Sequence, residues 1–496
     1  MSQIKKLAGH TLWYGVPTIL SRFLNYLLSI LFFGIFKPGA FGVITTLYAY
    51  IPFLNIIFTY GLETAFFRFS ESRNRQAVYN TLSVSILVST FCFTLPLLFF
   101  RQQVADFIEL GNHPEYVVWC AGIVFFDTLS TLPLAMLRLQ ERPKRFAFIR
   151  VMNVLANIVL TVIFYLVAPH FQNSFWFSWY NADMGVGYVL IANFAASIVT
   201  FLLLLPQLLQ VRYIFSKTLW KEIMQYSMPL VVVGFGGMIN EMLSRTVFLK
   251  VSPLPQLEKE HDLGVFGANY KLAVLITIFI QVFKMAAEPF FFAQSKSRNA
   301  PETYARVMKY FVLACCFMFL GIALFLDVWK LLLTYKNPEF GEGIHIVPVL
   351  AMAQVFLGIY YNQSIWYKLS NKNWIGARIT LTGAVITVLL NIWWIPRFGY
   401  TGSAWATFVC YAYMMGASYY LGQRYYPVPY EVSLLLGYLL LAGGLYALHY
   451  GVTLLTDAAL WRILPGVLCF AVFTGVVTGR EKETLKSLPL IRRWVS

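Results

Sequence analysis

The sequence predicts an all-α polytopic membrane protein of about fourteen transmembrane helices, arranged as two six-helix lobes in a parallel repeat plus two appended helices. Three observations support this fold class: the composition, the alternation of charge between loops, and an internal repeat. Of the 496 residues, 59% are hydrophobic and only 12% are charged, against about 25% in a typical soluble domain. The mean hydropathy of +0.65 excludes a soluble enzyme, a secreted disulfide scaffold and a disordered chain.

Spans of about 20 apolar residues, the length that crosses a bilayer as a helix, occur at fourteen places along the chain. The longest of them must tilt, kink or project beyond the bilayer. No small-residue cleavage site follows a short apolar core near the N-terminus, so we expect the first span to be retained. The predicted spans are residues 10–36, 40–67, 78–100, 115–137, 147–168, 184–207, 225–250, 263–292, 308–328, 344–367, 375–395, 400–421, 432–450 and 460–478.

The charges of the loops alternate along these spans. With the N-terminus in the cytoplasm, the cytoplasmic loops and tails carry 26 Lys and Arg residues, and the outer loops carry eight. This is the positive-inside bias of membrane proteins, and a wrong number of spans would destroy it. The bias predicts that both termini are cytoplasmic, and it explains most of the net charge of +16 without nucleic acid as a partner.

An internal repeat relates residues 39–74 to residues 264–299 at a fixed offset of 225 without a gap. Thirteen of the 36 positions are identical, including an FG pair, a glutamate followed by two phenylalanines, and a terminal Ser-Arg-Asn. The offset makes spans 1–6 and 7–12 two copies of one unit, both starting inside, which is the plan of a transporter with parallel repeats. The predicted domains are 1–209 and 223–424 for the two lobes, 210–222 for the cytoplasmic linker, and 425–496 for spans 13 and 14 with the tail.

Eight charged residues lie four or more positions inside the ends of the predicted spans, and a charge near the bilayer centre costs at least about 2.5–3.5 kcal/mol. Residues that persist there usually face a wet cavity or a charged partner. The four cations are candidate substrate-binding residues, because Arg binds phosphate oxygens bidentately and Lys acts as a point charge. Their excess favours an anionic substrate. These cations are Arg22, Arg245, Lys271 and Lys284.

The four intramembrane acids and two prolines are candidate coupling or gating residues. Spans 1 and 7 are repeat-equivalent and each contains a proline, and charged helices broken in matching positions of both lobes point to a binding site. The six residues are Asp127, Glu241, Glu63, Glu288, Pro17 and Pro229.

Several of these charges have structural alternatives. Asp127 could pair with Arg22 across the first lobe, or it could be a protonatable site. Glu241 and Arg245 are four residues apart and could pair with each other. The repeated glutamates Glu63 and Glu288 could cap nearby helix ends or pair with inner-loop arginines.

No catalytic or metal-binding motif accompanies these charges. The sequence has no GxxxxGK[ST] loop, no GxSxG elbow and no HExxH, and its six histidines are scattered. The six cysteines lie in apolar runs rather than in polar loops. We therefore expect no enzyme activity, no metal and no cofactor.

Several motifs resemble those of a known superfamily. They are the 6+6+2 arrangement, the FG pair Phe41-Gly42, the ETAFFRF segment from Glu63, the basic loop from Gln140 to Arg145, and the glycine-rich opening of span 12 from Gly399 to Thr407. In these features the chain resembles the polysaccharide-exporter branch of the multidrug/oligosaccharidyl-lipid/polysaccharide flippase superfamily. The likeness covers spans 1–12.

The resemblance implies a flippase of the bacterial inner membrane that moves undecaprenyl-pyrophosphate-linked glycans during O-antigen, lipopolysaccharide, capsule or exopolysaccharide assembly. Membrane lipid, the lipid-linked oligosaccharide, and the polysaccharide polymerase and export machinery are then the expected partners. A lipid II flippase is one alternative, although such proteins place several basic residues in span 1, where this chain has only Arg22. A cation-coupled multidrug exporter is another, but it needs an acidic cavity rather than a cationic one.

Overall fold

A computed structural model describes residues 24 and 26–481 of the chain, apart from 141, 172–174, 239–243, 296, 371 and 456–458. The described residues are almost entirely helical, and no strand occurs among them. This confirms the all-α fold class. Ten helices within the described residues are long and apolar enough to cross a membrane, so the chain is a multi-pass membrane protein. The number fourteen stays a prediction.

The helices up to residue 251 follow the predicted spans closely. They are α1 (Tyr26–Ile35), α2 (Pro38–Thr59), α3 (Leu62–Ser72), α4 (Arg75–Phe99), α5 (Arg101–Phe107), α6 (Pro114–Leu139), α7 (Pro143–Val162), α8 (Gly187–Leu203), α9 (Leu205–Leu208), α10 (Lys217–Met238) and α11 (Ser244–Val251). A short π-helix, Ile163–Val167, extends α7.

The remaining helices are generally longer. They are α12 (Gln256–Gln294), α13 (Ala300–Ala323), α14 (Leu326–Thr334), α15 (Val347–Gln363), α16 (Ile365–Leu369), α17 (Asn373–Tyr425), α18 (Val432–Thr453) and α19 (Ala459–Arg480). A 3₁₀ segment, Pro338–Ile346, leads into α15. The helices α4 and α13, which follow the two copies of the repeat, begin at Arg75 and Ala300, again 225 residues apart.

Two breaks divide the longest apolar stretches. The first separates α2 from α3, where Tyr60 and Gly61 have φ of 32° and 74°, so the predicted span 40–67 is kinked. The second lies inside α17 at Gly399, whose φ of 54° and ψ of −140° form a conformation that is essentially restricted to glycine. Gly399 falls at the predicted boundary between spans 375–395 and 400–421.

The described helices form two compact units. Unit 1 contains the chain up to Gly267 together with Ala377–Ala406, and unit 2 contains Ala268–Gly376 and the chain from Thr407 onward. The main core of unit 1 lies between α3, α4, α6 and the first half of α10, around side chains such as Tyr79, Leu82 and Ile223. The lobe and linker boundaries predicted from the repeat stay predictions.

Within unit 1, the start of α2 crosses the start of α12 at glycines of the repeat. A Cβ atom on Gly42 would overlap the carbonyl of Glu260, and a Cβ atom on Gly264 would overlap the carbonyl of Pro38. Membrane helices use such small residues to bring their backbones together. The glycines shared by the two copies of the repeat therefore hold a close crossing between the copies.

In unit 2, the hairpin of α18 and α19 is joined to its neighbours by an ion pair at each end. At one end the Lys309 Nζ on α13 lies 3.0 Å from an oxygen of Glu481, which also accepts a 3.0 Å hydrogen bond from the Tyr438 hydroxyl. At the other end Arg462 Nη1 lies 3.5 Å from Asp327 Oδ1 at the start of α14. The two appended helices are thus fixed to unit 2 by charge as well as by packing.

The Lys309–Glu481 pair is expected to be a large contribution to the stability of this hairpin. Its side chains are 15% and 6% exposed, and removing one partner of a buried pair costs about 3–5 kcal/mol because the other charge stays buried. Lys309→Met should therefore lower the midpoint of thermal unfolding in detergent clearly. The double variant Lys309→Met/Glu481→Met should lower it less than Lys309→Met alone.

The exposed pair Arg73–Glu222 provides the control. Its side chains are 55% and 45% exposed, so Arg73→Gln should cost at most about 1 kcal/mol. Equal losses for Lys309→Met and Arg73→Gln would contradict a structural role for the buried pair.

Candidate substrate site

The interior of unit 1 contains a charged group on three packed helices. Asp127 lies in the middle of α6, and the Ser197 hydroxyl on α8 donates a hydrogen bond to its carboxylate. The positive charge of Arg150 on α7 also acts on this carboxylate. Asp127 therefore has a partner, and this partner comes from another helix of the same unit.

Arg150 lies well inside its helix. The helix α7 begins at Pro143, a residue preorganised for the first helical position, so Arg150 is about 10 Å further along the axis. Its side chain is exposed. Its guanidinium interacts electrostatically with the carboxylates of Asp127 and Glu63 and with the guanidinium of Arg138. An exposed arginine at this depth of an apolar helix fits a wet interior surface better than lipid.

A direct ion pair lies close to Asp127 and Arg150. Arg138, in the last turn of α6, donates a hydrogen bond through Nη2 to Oε1 of Glu63 in the first turn of α3. The Arg138 guanidinium also lies 4.9 Å from the centre of the Phe67 ring. Pairing with an arginine at the inner end was one of the two alternatives for Glu63. This ion pair and the two interacting charges of Asp127 and Arg150 form a group that we call the four-charge cluster: Glu63, Asp127, Arg138 and Arg150.

Hydroxyl and amide groups surround the four-charge cluster in unit 1. The Asn193 amide on α8 donates a 2.8 Å hydrogen bond to the hydroxyl of Tyr48 on α2. Tyr48 also interacts electrostatically with Asp127. The Asn153 amide on α7 donates to Thr200 Oγ1 at 2.9 Å and to the Ala196 carbonyl at 3.1 Å. These groups are suited to hydrogen bonding with a polyhydroxylated molecule.

Unit 2 contains two lysines at one small cavity. Lys284 Nζ lies 4.8 Å from the centre of the Tyr361 ring, and Lys284 and Lys368 both line a cavity of about 20 Å³, which has room for about one water molecule. Lys271, nearer the N-terminal end of α12, is half-buried. Beside it, the Gln354 amide donates to the Tyr270 hydroxyl at 3.1 Å and Gln354 accepts from Thr277 at 2.9 Å.

The other predicted site residues are only partly described. Arg245 is buried in the first turn of α11. Pro229 and Glu288 lie on the helical backbone of α10 and α12, but their side chains are outside the described residues. Arg22, Pro17 and Glu241 lie wholly outside the described residues, and so does the predicted pair of Glu241 with Arg245. Within the described ranges, no three His, Cys, Asp or Glu side chains are placed to hold a metal ion.

Sequence reasoning missed Arg138 and Arg150 because both were counted among the charges of the inner loop. The structure places each of them inside a helix. Pro143 was the available signal, since proline at the first helical position marks a helix start. A helix starting there puts Arg150 on its third turn, further inside the helix than the predicted start at residue 147 indicates.

The family of the chain follows from a comparison with family models. The model described as "Polysaccharide biosynthesis protein" matches residues 7–295, more than half of the chain. The chain belongs to the polysaccharide biosynthesis protein family. Among individual proteins, the chain is similar to the uncharacterized membrane protein MJ1068 of Methanocaldococcus jannaschii. The two are 20% identical over 440 residues, which cover 84% of this chain and 83% of the relative.

Solved structures of flippases and exporters share the fold of this family member. The lipid II flippase MurJ in an inward closed conformation superposes with a TM-score of 0.72 at 13% identity, over 94% of this chain and 99% of that chain. An inward-facing multidrug resistance MATE family transporter of the MOP superfamily gives 0.64 at 15% identity, over 86% and 98%. The family and the fold confirm the resemblance noted in the sequence, and the fold is the one that these flippase and transporter structures share.

Proposed function

We propose that this family member moves undecaprenyl-pyrophosphate-linked oligosaccharide from the inner to the outer leaflet of the bacterial inner membrane by alternating access, for surface polysaccharide biosynthesis. The observation that carries the proposal is the exposed Arg150 inside α7, paired with Asp127. A guanidinium can bind two phosphate oxygens at once. The charge of Asp127 acts on this arginine, and a pyrophosphate group would compete with that carboxylate for the guanidinium.

The glycan part of the substrate would lie on the neutral polar groups near the four-charge cluster. Tyr48 offers a ring face and a hydroxyl, and Asn153, Asn193 and Thr200 offer amides and a hydroxyl. Sugar hydroxyls can replace hydrogen bonds of this kind one for one, so the site would tolerate different sugars. The polyprenyl chain would remain in lipid.

The cations predicted from the sequence complete this proposal. Arg22 is the sequence-based candidate in the first lobe, and Arg245, Lys271 and Lys284 would receive the pyrophosphate later in the cycle. Gating or coupling roles are proposed for the acids and prolines already named, with Asp127 the best placed because it competes with substrate for Arg150. A polysaccharide polymerase and export machinery would use the glycan on the outer face.

The paired state of the carboxylates argues against export of cationic drugs. Glu63 and Asp127 each have an arginine beside them, so neither offers an uncompensated negative charge to a cation. The lipid II alternative is harder to separate, because its substrate would present the same anionic group to Arg150. The two functions therefore have to be distinguished by the glycan that the transported lipid carries.

A gene-deletion experiment tests the proposed function in cells. Deletion should abolish surface polysaccharide and accumulate the lipid-linked oligosaccharide, and plasmid-borne wild-type protein should restore export. Unchanged surface polysaccharide after the deletion would contradict the proposal. This holds if the deletion accumulates lipid II, and it holds equally if the deletion only raises drug sensitivity.

The proposed topology is tested separately with reporter fusions. The loop after α11 should lie on the outer side, and the loop after α12 should lie in the cytoplasm. Alkaline phosphatase fused after Pro253 should therefore be active, and the same enzyme fused after Arg298 should be inactive. Equal activity for both fusions would contradict the predicted orientation.

A further inference from the structure

Unit 1 contains a large apolar cavity that the proposed transport site does not use. Its volume is about 830 Å³, within the range of about 300–1,000 Å³ that is typical of small-molecule sites. The wall is formed by α2, α4, the segment before α10, and α10 itself. Its lining residues include Tyr60, Ser85, Val88, Cys92, Trp220 and Met228.

The few polar atoms of this wall bind one another. The hydroxyls of Tyr60 and Ser85 are 2.6 Å apart, the Ser89 hydroxyl donates to Tyr60 at 3.2 Å, and Trp220 Nε1 donates to Ser85 at 2.8 Å. Each of these polar groups therefore already has a partner within the wall, and water in a site lined mainly by apolar side chains would find few of the hydrogen bonds that hold buried water. The wall favours a hydrocarbon.

The cavity opens along an apolar surface. Val88 on α4 and Met228 on α10 both line it, and they are 57% and 50% exposed. The helices that carry them are apolar segments of a membrane protein, so the molecules that meet this opening are lipid chains. An acyl chain is the hydrocarbon present there in excess.

Positive charge surrounds one end of the same wall. Lys217 and Lys221 are exposed in the first turns of α10, next to the lining residue Trp220, and the exposed Arg212 precedes them. The nearby Glu222 is engaged by Arg73, which donates two hydrogen bonds to its carboxylate at 3.1 and 3.2 Å. A lipid whose chain lay in the cavity would thus meet basic residues with its headgroup.

We propose that this cavity binds an anionic phospholipid, with one acyl chain between α4 and α10 and the phosphate against Lys217 and Lys221. The site is separate from the four-charge cluster, and it takes a resident bilayer lipid rather than the transported molecule. Bound lipid fills the space between α10 and the α2–α4 helices and so sets their spacing.

The test uses the full chain in liposomes that contain phosphatidylglycerol with a photoactivatable group in its acyl chain. After illumination, mass spectrometry should find the label mainly on residues 84–93 and 224–235. Unlabelled phosphatidylglycerol should compete, and phosphatidylcholine should compete about 25-fold more weakly, since each of the two lysines near the surface adds about fivefold. Lys217→Gln/Lys221→Gln should remove this preference.

Two variants of α4 provide a matched comparison. Cys92→Trp fills the cavity, and excluding two methylene groups alone should reduce labelling about tenfold. Leu95→Trp changes an exposed residue outside the lining on the same helix and should not reduce it. Labelling that is no stronger in the cavity than on the exposed face of α18 would overturn the proposal. So would competition by undecaprenyl phosphate without competition by phosphatidylglycerol, because the occupant would then be the carrier lipid.

Discussion

Replacing Arg150 with alanine is expected to abolish transport of the lipid-linked oligosaccharide while the protein still reaches the membrane. Arg150 is exposed on α7 with Asp127 as its charged neighbour, so it can exchange a carboxylate for a phosphate. A charge-assisted hydrogen bond contributes about 1.5–3 kcal/mol, which corresponds to about a ten- to hundredfold loss of rate for one bond. If the contact is bidentate, its removal should reduce the transport rate further.

The side-chain chemistry of Arg150 can be separated from its charge. Arg150→Lys keeps the charge but not the planar fork, so it should recover transport only in part. Arg142→Ala is the matched control, because Arg142 is exposed just before the same helix and outside the cluster. Arg22→Ala, measured in the same export assay, shows whether the sequence-based candidate also contacts the substrate.

A structural role for Arg150 predicts a different pattern. In that case Arg150→Ala should lower the amount of folded protein because Asp127 would be left unpaired, and Arg150→Ala/Asp127→Asn should restore both folding and transport. Under the proposed role the double variant folds but still does not transport. Normal export by Arg150→Ala would place the phosphate site elsewhere.

Replacing Gly264 on α12 with alanine is expected to destabilise the protein strongly. The new Cβ atom would overlap the Pro38 carbonyl, and a backbone atom cannot move aside as a side chain can. The two helices must separate, at a cost at or above the upper end of the roughly 1–3 kcal/mol that overpacking usually causes. Gly42→Ala should behave in the same way because its Cβ atom meets the Glu260 carbonyl.

Gly39→Ala is the control for this crossing, and its effect should have the opposite sign. Gly39 also lies on α2, but nothing would lie within 4 Å of its Cβ atom. Alanine is better than glycine in a helix by up to about 1 kcal/mol, so Gly39→Ala should be neutral or stabilising. The midpoints of thermal unfolding of the three purified variants in detergent measure these effects. Equal midpoints for Gly264→Ala and Gly39→Ala would contradict the close crossing.

The sequence was sufficient for those parts of the fold that depend on local patterns. Apolar runs set the helices, and glycine at position 399 marked a break because few other residues adopt its backbone conformation. The repeat also identified the glycines at positions 42 and 264. It could not show that these two glycines lie against each other, since that contact depends on how distant helices pack.

The charged site was less predictable for the same reason. Glu63 and Asp127 were recognised as intramembrane acids, but their partners Arg138 and Arg150 come from other helices. Arg150 lies only three residues inside the predicted span 147–168, and it was therefore counted with the charges of the preceding inner loop. The pair of Lys309 with Glu481 joins residues far apart in the chain, and no periodicity links them.

Movement of the substrate across a bilayer by the purified protein is the most direct test of the proposed function. Liposomes with and without the protein would contain fluorescent polyprenyl-pyrophosphate oligosaccharide, and a membrane-impermeant quencher would report the fraction in each leaflet. We predict that the wild-type protein and Arg142→Ala accelerate the exchange between leaflets, whereas Arg150→Ala does not. Folded wild-type protein that leaves the exchange at the rate of protein-free liposomes would contradict the proposed flippase function.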